Sequence, residues 1–241
     1  MPALMPLPIL PVDEQVVLGP ILRAFTEFDI FYQNERLNKL GVIFWYYDPG
    51  LSKGKEAEAD TFECAVHFKK YPESIIDAHV MAHEIMHLVR YEETNLIQVR
   101  LNDLRYYNLA IALQSMLEDP IVDAILQKKY SFNLCHLYLK AINFTQKHSE
   151  NEPNNSIIRI QEGLVLANSI LRWDLIKDKE STRKWVDFMA WFTLKYPNVY
   201  RIGSNMASIA KDTGLDTIYE QRKTASKLIS EYSLNNILFI K

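Results

Sequence analysis

The sequence predicts an α+β fold, predominantly α-helical, and three observations carry that reading. Two strand-like runs lie close together between residues 42 and 68. A helical pattern then opens at Ser74, and helical periodicity continues almost without a break toward the C-terminus. We expect a single domain over residues 1–241. A small sheet and its partner helix would occupy residues 1–130, and a helical lobe would occupy 131–241.

The 241 residues suffice to bury a real core, and 48% apolar against 24% charged is the ordinary balance of a soluble globular protein. A net charge of −3 is too mild to call for nucleic acid or a membrane surface as partner. Seven glycines in the whole chain imply few tight turns and long helices.

The opening MPALMPLPILPVDE lacks a basic stretch and is interrupted by Pro2, Pro6, Pro8 and Pro11, so it reads as a surface arm rather than a leader or a spanning helix. No other segment approaches the ~18 apolar residues of a membrane span. Cys64 and Cys135 sit in unrelated contexts and read as buried, unpaired thiols of a reducing cytoplasm, with a disulfide between them as the alternative.

A first helix is expected over 13–40, with a break near Gly19-Pro20, because Ile21, Phe25, Phe28 and Tyr32 recur at helical spacing. Gly41 ends it. The β-branched and aromatic run 42–48 (VIFWYYD) reads as a buried strand, Asp48-Pro49-Gly50 as a turn and LSKGKEAEAD as a polar loop. Phe62, Cys64, Val66 and Phe68 alternate with polar or small residues, the pattern of a strand covered on one face. At Ser74 the period changes: Ser74 can cap, Asp77 stands at the capping-box position, and Ile76, Val80, His83 and His87 share a face. Further helices are expected over 96–117, 120–129, 131–145, 156–176, 181–196, 205–213 and 215–232.

Residues four apart on a helix are rotated by about 400°, so His83 and His87 point the same way, one turn apart. Two neutral imidazoles so placed can share one Zn²⁺, while Glu84, about 100° round the helix, can take a proton from an activated water without ligating the metal. No charge interrupts VMA before the motif, and Ile85, Met86, Leu88 and Val89 keep the helix apolar, as a buried metal helix requires. The bland alternative is a helix with two buried histidines and a chance glutamate.

The stretch VMAHEIMHLV resembles the zincin metallopeptidases over about ten residues, with a compatible layout over 42–129. The resemblance implies zinc, His83 and His87 as its ligands, Glu84 as general base, and an upstream edge strand that pairs with extended substrate.

A catalytic zinc site needs a third protein ligand. No histidine follows His87 until His136, so the leading candidate is Glu118 in SMLEDPIVDAIL, similar to the gluzincin arrangement. The usual ExxxD spacing is not kept, since Val122 stands four residues after Glu118 and Asp123 five. Asp119 before Pro120 has a ready explanation as a helix N-cap, and Glu118 as a solvated helix-end carboxylate. Asp119 and His136 remain alternative ligands, and Asp119 or Asp123 can orient a ligating imidazole.

Among weaker signals, His79 continues the histidine stripe in an outer-shell or surface role, and His67 reads as exposed. Arg105, Tyr106, Tyr107, Tyr130 and His136 are candidates for stabilising an oxyanion. Glu84 to His87 is also an ExxH, but no second ExxH exists for a di-iron site. Residues 210–215 have a helix-turn-helix-like turn that reads as an αα-corner, because Glu220 stands where an apolar residue is needed. The expectation is a cytoplasmic zinc metallopeptidase acting on a peptide or protein. The alternative is an inactive zincin-like scaffold serving as an interaction or regulatory module.

Overall fold

The computed structural model describes residues 9–52, 55–93, 96–175 and 178–241. It bears out the α+β class with helix dominant, and the chain divides into two compact units. One comprises residues 1–94 and 125–133, the other 95–124 and 134–241.

In the first unit a short strand β1 (Leu10–Val12) leads into α1 (Glu14–Ala24), capped by Asp13, whose carboxylate accepts from the amides of Gln15 and Val16. The expected break at Gly19-Pro20 does not occur there. α1 carries Pro20 inside it, and the chain breaks at Phe25, which is extended, before α2 (Thr26–Phe31) and a π-helical turn at Tyr32–Leu37. Val17, Leu18 and Ile21 are fully buried around Pro20, so packing holds the turn that proline weakens.

Strands β2 (Phe44–Tyr47), β3 (Ala57–Asp60) and β4 (Ala65–Phe68) complete a four-stranded sheet of order β1-β2-β4-β3, in which β2 and β4 are parallel and both outer strands antiparallel to their neighbours. Pro11 is tolerated because β1 is an edge.

Two expectations change here. The polar run ending in AEAD is a strand. The alternating run 62–68 is strand only from Ala65, because Asp60 Oδ1 accepts from the amides of Phe62 (2.9 Å) and Glu63 (3.1 Å), and Cys64 takes φ 51°, closing a β3–β4 hairpin. Phe62 is accordingly exposed.

Helix α3 (Ile75–Glu92) packs against β3 and β4 and begins with the expected capping box. Asp77 Oδ2 accepts from the Ser74 amide at 2.9 Å and its hydroxyl at 2.7 Å, and the Asp77 amide returns a bond to Ser74 Oγ. Burial pushes the Asp77 carboxyl up, but these donors and the Glu73 amide outweigh it and hold it below its usual range.

A buried carboxylate also ties the unit together. Glu35 accepts from Lys39 (2.8 Å), Lys129 (2.6 Å) and the Tyr130 hydroxyl, and those contacts overcome the upward effect of burial on its pKa.

The second unit opens with β5 (Val99–Leu101), a 3-10 turn at Leu104–Tyr106 and the long α4 (Tyr107–Tyr130), whose residues from 125 onward belong to the first unit. Sequence reading placed a helix over 96–117 and a new one from Pro120. Instead 96–106 is largely non-helical and α4 runs through Pro120, so Asp119 is a helix-interior residue and not an N-cap. Met116, Leu117 and Val122 on either side of Pro120 are fully buried, and that packing outweighs the one backbone bond proline removes.

Helices α5 (Cys135–Lys147), α6 (Ser156–Trp173), α7 (Lys179–Lys195), α8 (Pro197–Thr213) and α9 (Ile218–Glu231) follow, and β6 (Leu238–Ile240) pairs antiparallel with β5. Leu113, Met116, Leu164, Ala167, Met206 and Leu228 lie in a common core. The α8–α9 corner turns at Gly214 (φ 91°), and Glu220, the residue that argued against a DNA-binding motif, forms the capping box of α9 with Thr217. Among the described residues no helix is long and apolar enough to cross a membrane.

α6 and α8 cross closely at two glycines. A Cβ on Gly203 would lie 2.8 Å from the Gly163 carbonyl oxygen and 2.9 Å from Leu166 Cβ. Because one of these is backbone, Gly203→Ala is expected to cost about 1–3 kcal/mol. Gly41→Ala, whose Cβ meets nothing within 4 Å, should shift stability by less than about 0.5 kcal/mol. Urea unfolding of both variants checks the pair.

Candidate functional site

The first unit carries the HExxH helix. α3 presents His83, 9% exposed, and the half-buried His87 from successive turns, with Nε2 atoms 3.1 Å apart and rings nearly perpendicular. Two nitrogens ligating one zinc ion at about 2.0–2.1 Å stand about 3.3–3.4 Å apart at the tetrahedral angle. The pair thus fits a shared ion after a shift of a few tenths of an ångström. The same separation suits one N–H···N hydrogen bond.

Glu84 points elsewhere, as its 100° offset requires. Its Oε2 accepts from the backbone amide of Ala59 in β3 at 2.8 Å. The strand register explains why that amide is available. Lys69 donates to the Glu56 carbonyl, so the opposed pairs Glu58–His67 and Asp60–Ala65 exchange the ladder bonds, and Ala57 and Ala59 turn their N–H and C=O groups outward. β3 is the sheet's edge, and the HExxH carboxylate is fastened to it.

His79, one turn before His83, is buried rather than at the surface, 4.8 Å edge-on to the ring of Phe132. His67 is half-buried, stacked at 5.0 Å on Tyr46 and 3.7 Å from Asp48. Cys64 is a half-buried thiol at the hairpin, and burial raises its pKa.

The second unit carries the acidic candidates. Glu118, Asp119 and Asp123 are 1%, 9% and 0% exposed, so Glu118 is not the solvated helix-end carboxylate that sequence allowed. Burying carboxylates is costly without compensation, and for two of them the compensation stands on α6. Asn168 Nδ2 donates to Asp119 Oδ2 at 2.9 Å, and Arg172 Nε donates to Asp123 Oδ2 at 2.5 Å, with Nη1 3.6 Å from Asp119. The Tyr138 hydroxyl donates to the same Asp123 oxygen, and Arg172 stands 5.0 Å over the Tyr138 ring. Burial first, then the Asp123 charge, raises the Tyr138 pKa far above its usual value.

Both pairs, Asp119/Asp123 and Asn168/Arg172, are four residues apart on their helices, which is the signal sequence reading could have used. His136 is exposed on α5. Of the oxyanion candidates, Arg105 is an exposed partner of Asp103 and Tyr130 is committed to Glu35. Tyr107 is exposed, and Tyr106 is half-buried.

Ala59 is the Glu84 partner that sequence reading passed over. Its signal was present as the alternation Ala57-Glu58-Ala59-Asp60, hidden by the small size of the apolar members. Comparison with protein-family models, curated proteins and solved structures finds no match to this chain.

Proposed function

We propose that this protein is a zinc-dependent hydrolase, most concretely a metallopeptidase acting on a peptide or protein in the cytoplasm. The observation that carries the reading is the convergence of the His83 and His87 Nε2 atoms at 3.1 Å, on the helix that also holds Glu84 fastened to a sheet edge. In this reading the two imidazoles hold the ion through Nε2 lone pairs. Glu118, a buried carboxylate of α4, is the proposed third ligand. Asp119, also buried on α4, is the alternative carboxylate ligand.

Zinc, when bound, supplies Lewis-acid polarisation of a carbonyl and a lowered pKa for ligated water. Glu84 would be the residue that takes the attacking water's proton on a carboxylate oxygen and hands it to the leaving amine nitrogen. The outward carbonyl groups of Ala57 and Ala59 and the Ala57 amide offer backbone partners to an extended peptide, which favours peptide over other acyl substrates. Cysteine thiols at positions 64 and 135 suit a reducing compartment.

The test is metal analysis of purified protein. One equivalent of zinc is expected, and His83→Ala or His87→Ala should weaken zinc affinity by more than about 100-fold, because losing a ligand exceeds the 10–100-fold cost of losing an outer partner. Glu118→Ala should follow the histidine variants if it is the third ligand, and Asp119→Ala if the aspartate is. Undiminished zinc in the double histidine variant sinks the reading.

A further inference from the structure

We propose that the outward-facing backbone amide of Ala59 is the positioning donor for Glu84, an inference that rests on reading Glu84 as the general base. A glutamate side chain on a helix surface has several open rotamers, and a general base needs one of them held. The Ala59 amide selects among them. It lies 2.8 Å from Glu84 Oε2 and belongs to the rigid frame of a sheet against which α3 packs.

The strand chemistry gives this donor to Glu84. The β3–β4 ladder uses the amides of Glu58 and Asp60, and the alternation turns the Ala59 amide away from β4. Alanine at 57 and 59 puts the smallest side chains on the face shared with Val66 and Phe68. With Oε2 held by the amide, Oε1 is the oxygen that would receive the proton.

The same geometry supplies a clean test. Proline at position 59 removes the N–H without removing a ladder bond, which is where a sheet edge accepts proline, whereas Ala59→Gly keeps the N–H. With zinc-loaded full-length protein and fluorescently labelled casein as probe, Ala59→Pro is expected to lose about 100-fold in kcat, the scale of a misplaced catalytic group. KM and zinc content should be little changed, and Ala59→Gly, which keeps the N–H, should lose far less than Ala59→Pro.

An independent readout is hydrogen exchange at the Ala59 amide. It should quicken at least tenfold in Glu84→Ala and stay slow in Glu84→Gln, whose amide oxygen still accepts. Unchanged exchange in Glu84→Ala overturns the contact, and wild-type kcat in a folded Ala59→Pro overturns the positioning role. If Ala59→Pro fails to fold, Glu84→Asp replaces it: one methylene shorter, it should lose the protection and kcat together. Full kcat without protection then overturns the proposal. A slow Ala59 amide in a zinc-loaded wild type that hydrolyses nothing sinks the hydrolase reading, and the role with it, while leaving the contact in place.

Discussion

Glu84→Gln is expected to reduce hydrolysis by about 10²–10⁴-fold, the contribution of a positioned general base, while leaving fold and metal content intact. The substitution is isosteric, and the glutamine carbonyl oxygen can still accept from the Ala59 amide, so the tie between α3 and the sheet edge survives. What disappears is the capacity to receive a proton, because an amide oxygen is far too weakly basic. His83 and His87 are untouched, so zinc content should match the wild type. Parallel measurement of zinc and of peptide turnover on one preparation checks both halves. Full turnover in the variant would remove Glu84 from the mechanism, and loss of zinc with turnover would make it a ligand or a structural residue.

The meeting of His83 and His87 was legible because it is local: a 3.6-residue period fixes which side chains of α3 face together, and no tertiary information is needed. The same holds for the Ser74 capping box and for the strand at 44–47, whose bulky residues leave little choice of state. The parts that were not legible depend on partners distant in sequence. AEAD reads as a loop because two alanines carry almost no hydrophobic signal, yet pairing with β4 makes it the sheet edge.

Asp119-Pro120 reads as a helix start because proline at the first helical position is the commoner use. In α4 the fully buried Met116, Leu117 and Val122 override that preference and carry the helix through. That one difference moves Asp119 from a capping role, where its loss would cost stability alone, to a buried acidic position paired with α6. The third ligand stays open for the same reason: side chains at 118 and 119 differ by 100° around α4, and only metal measurements on the two variants separate them.

Asp123→Ala is expected to be the most destabilising single substitution considered, at about 3 kcal/mol, because it strips the nearer of two counter-charges from the partly buried Arg172. Asp123 is 0% exposed, and one of its oxygens accepts from both Arg172 Nε and the Tyr138 hydroxyl. Removing it leaves the buried Tyr138 hydroxyl and the Arg172 Nε without their acceptor, and each carries a desolvation penalty.

The cost of breaking the group differs from its net worth. Replacing all members together, Asp123→Leu with Arg172→Met and Tyr138→Phe, should recover most of the loss, since well-packed apolar side chains match or exceed a buried ion pair. Urea unfolding of the single and triple variants measures both numbers. A triple variant as unstable as Asp123→Ala would show that packing around the cluster cannot be rebuilt. A stable one allows a sharper question, because Arg172 also reaches toward Asp119 at 3.6 Å. If this cluster serves the proposed metal site by orienting the α4 carboxylates, the stable triple variant should bind zinc about 10–100-fold more weakly than wild type. Wild-type zinc affinity in that variant would confine the cluster to a structural role.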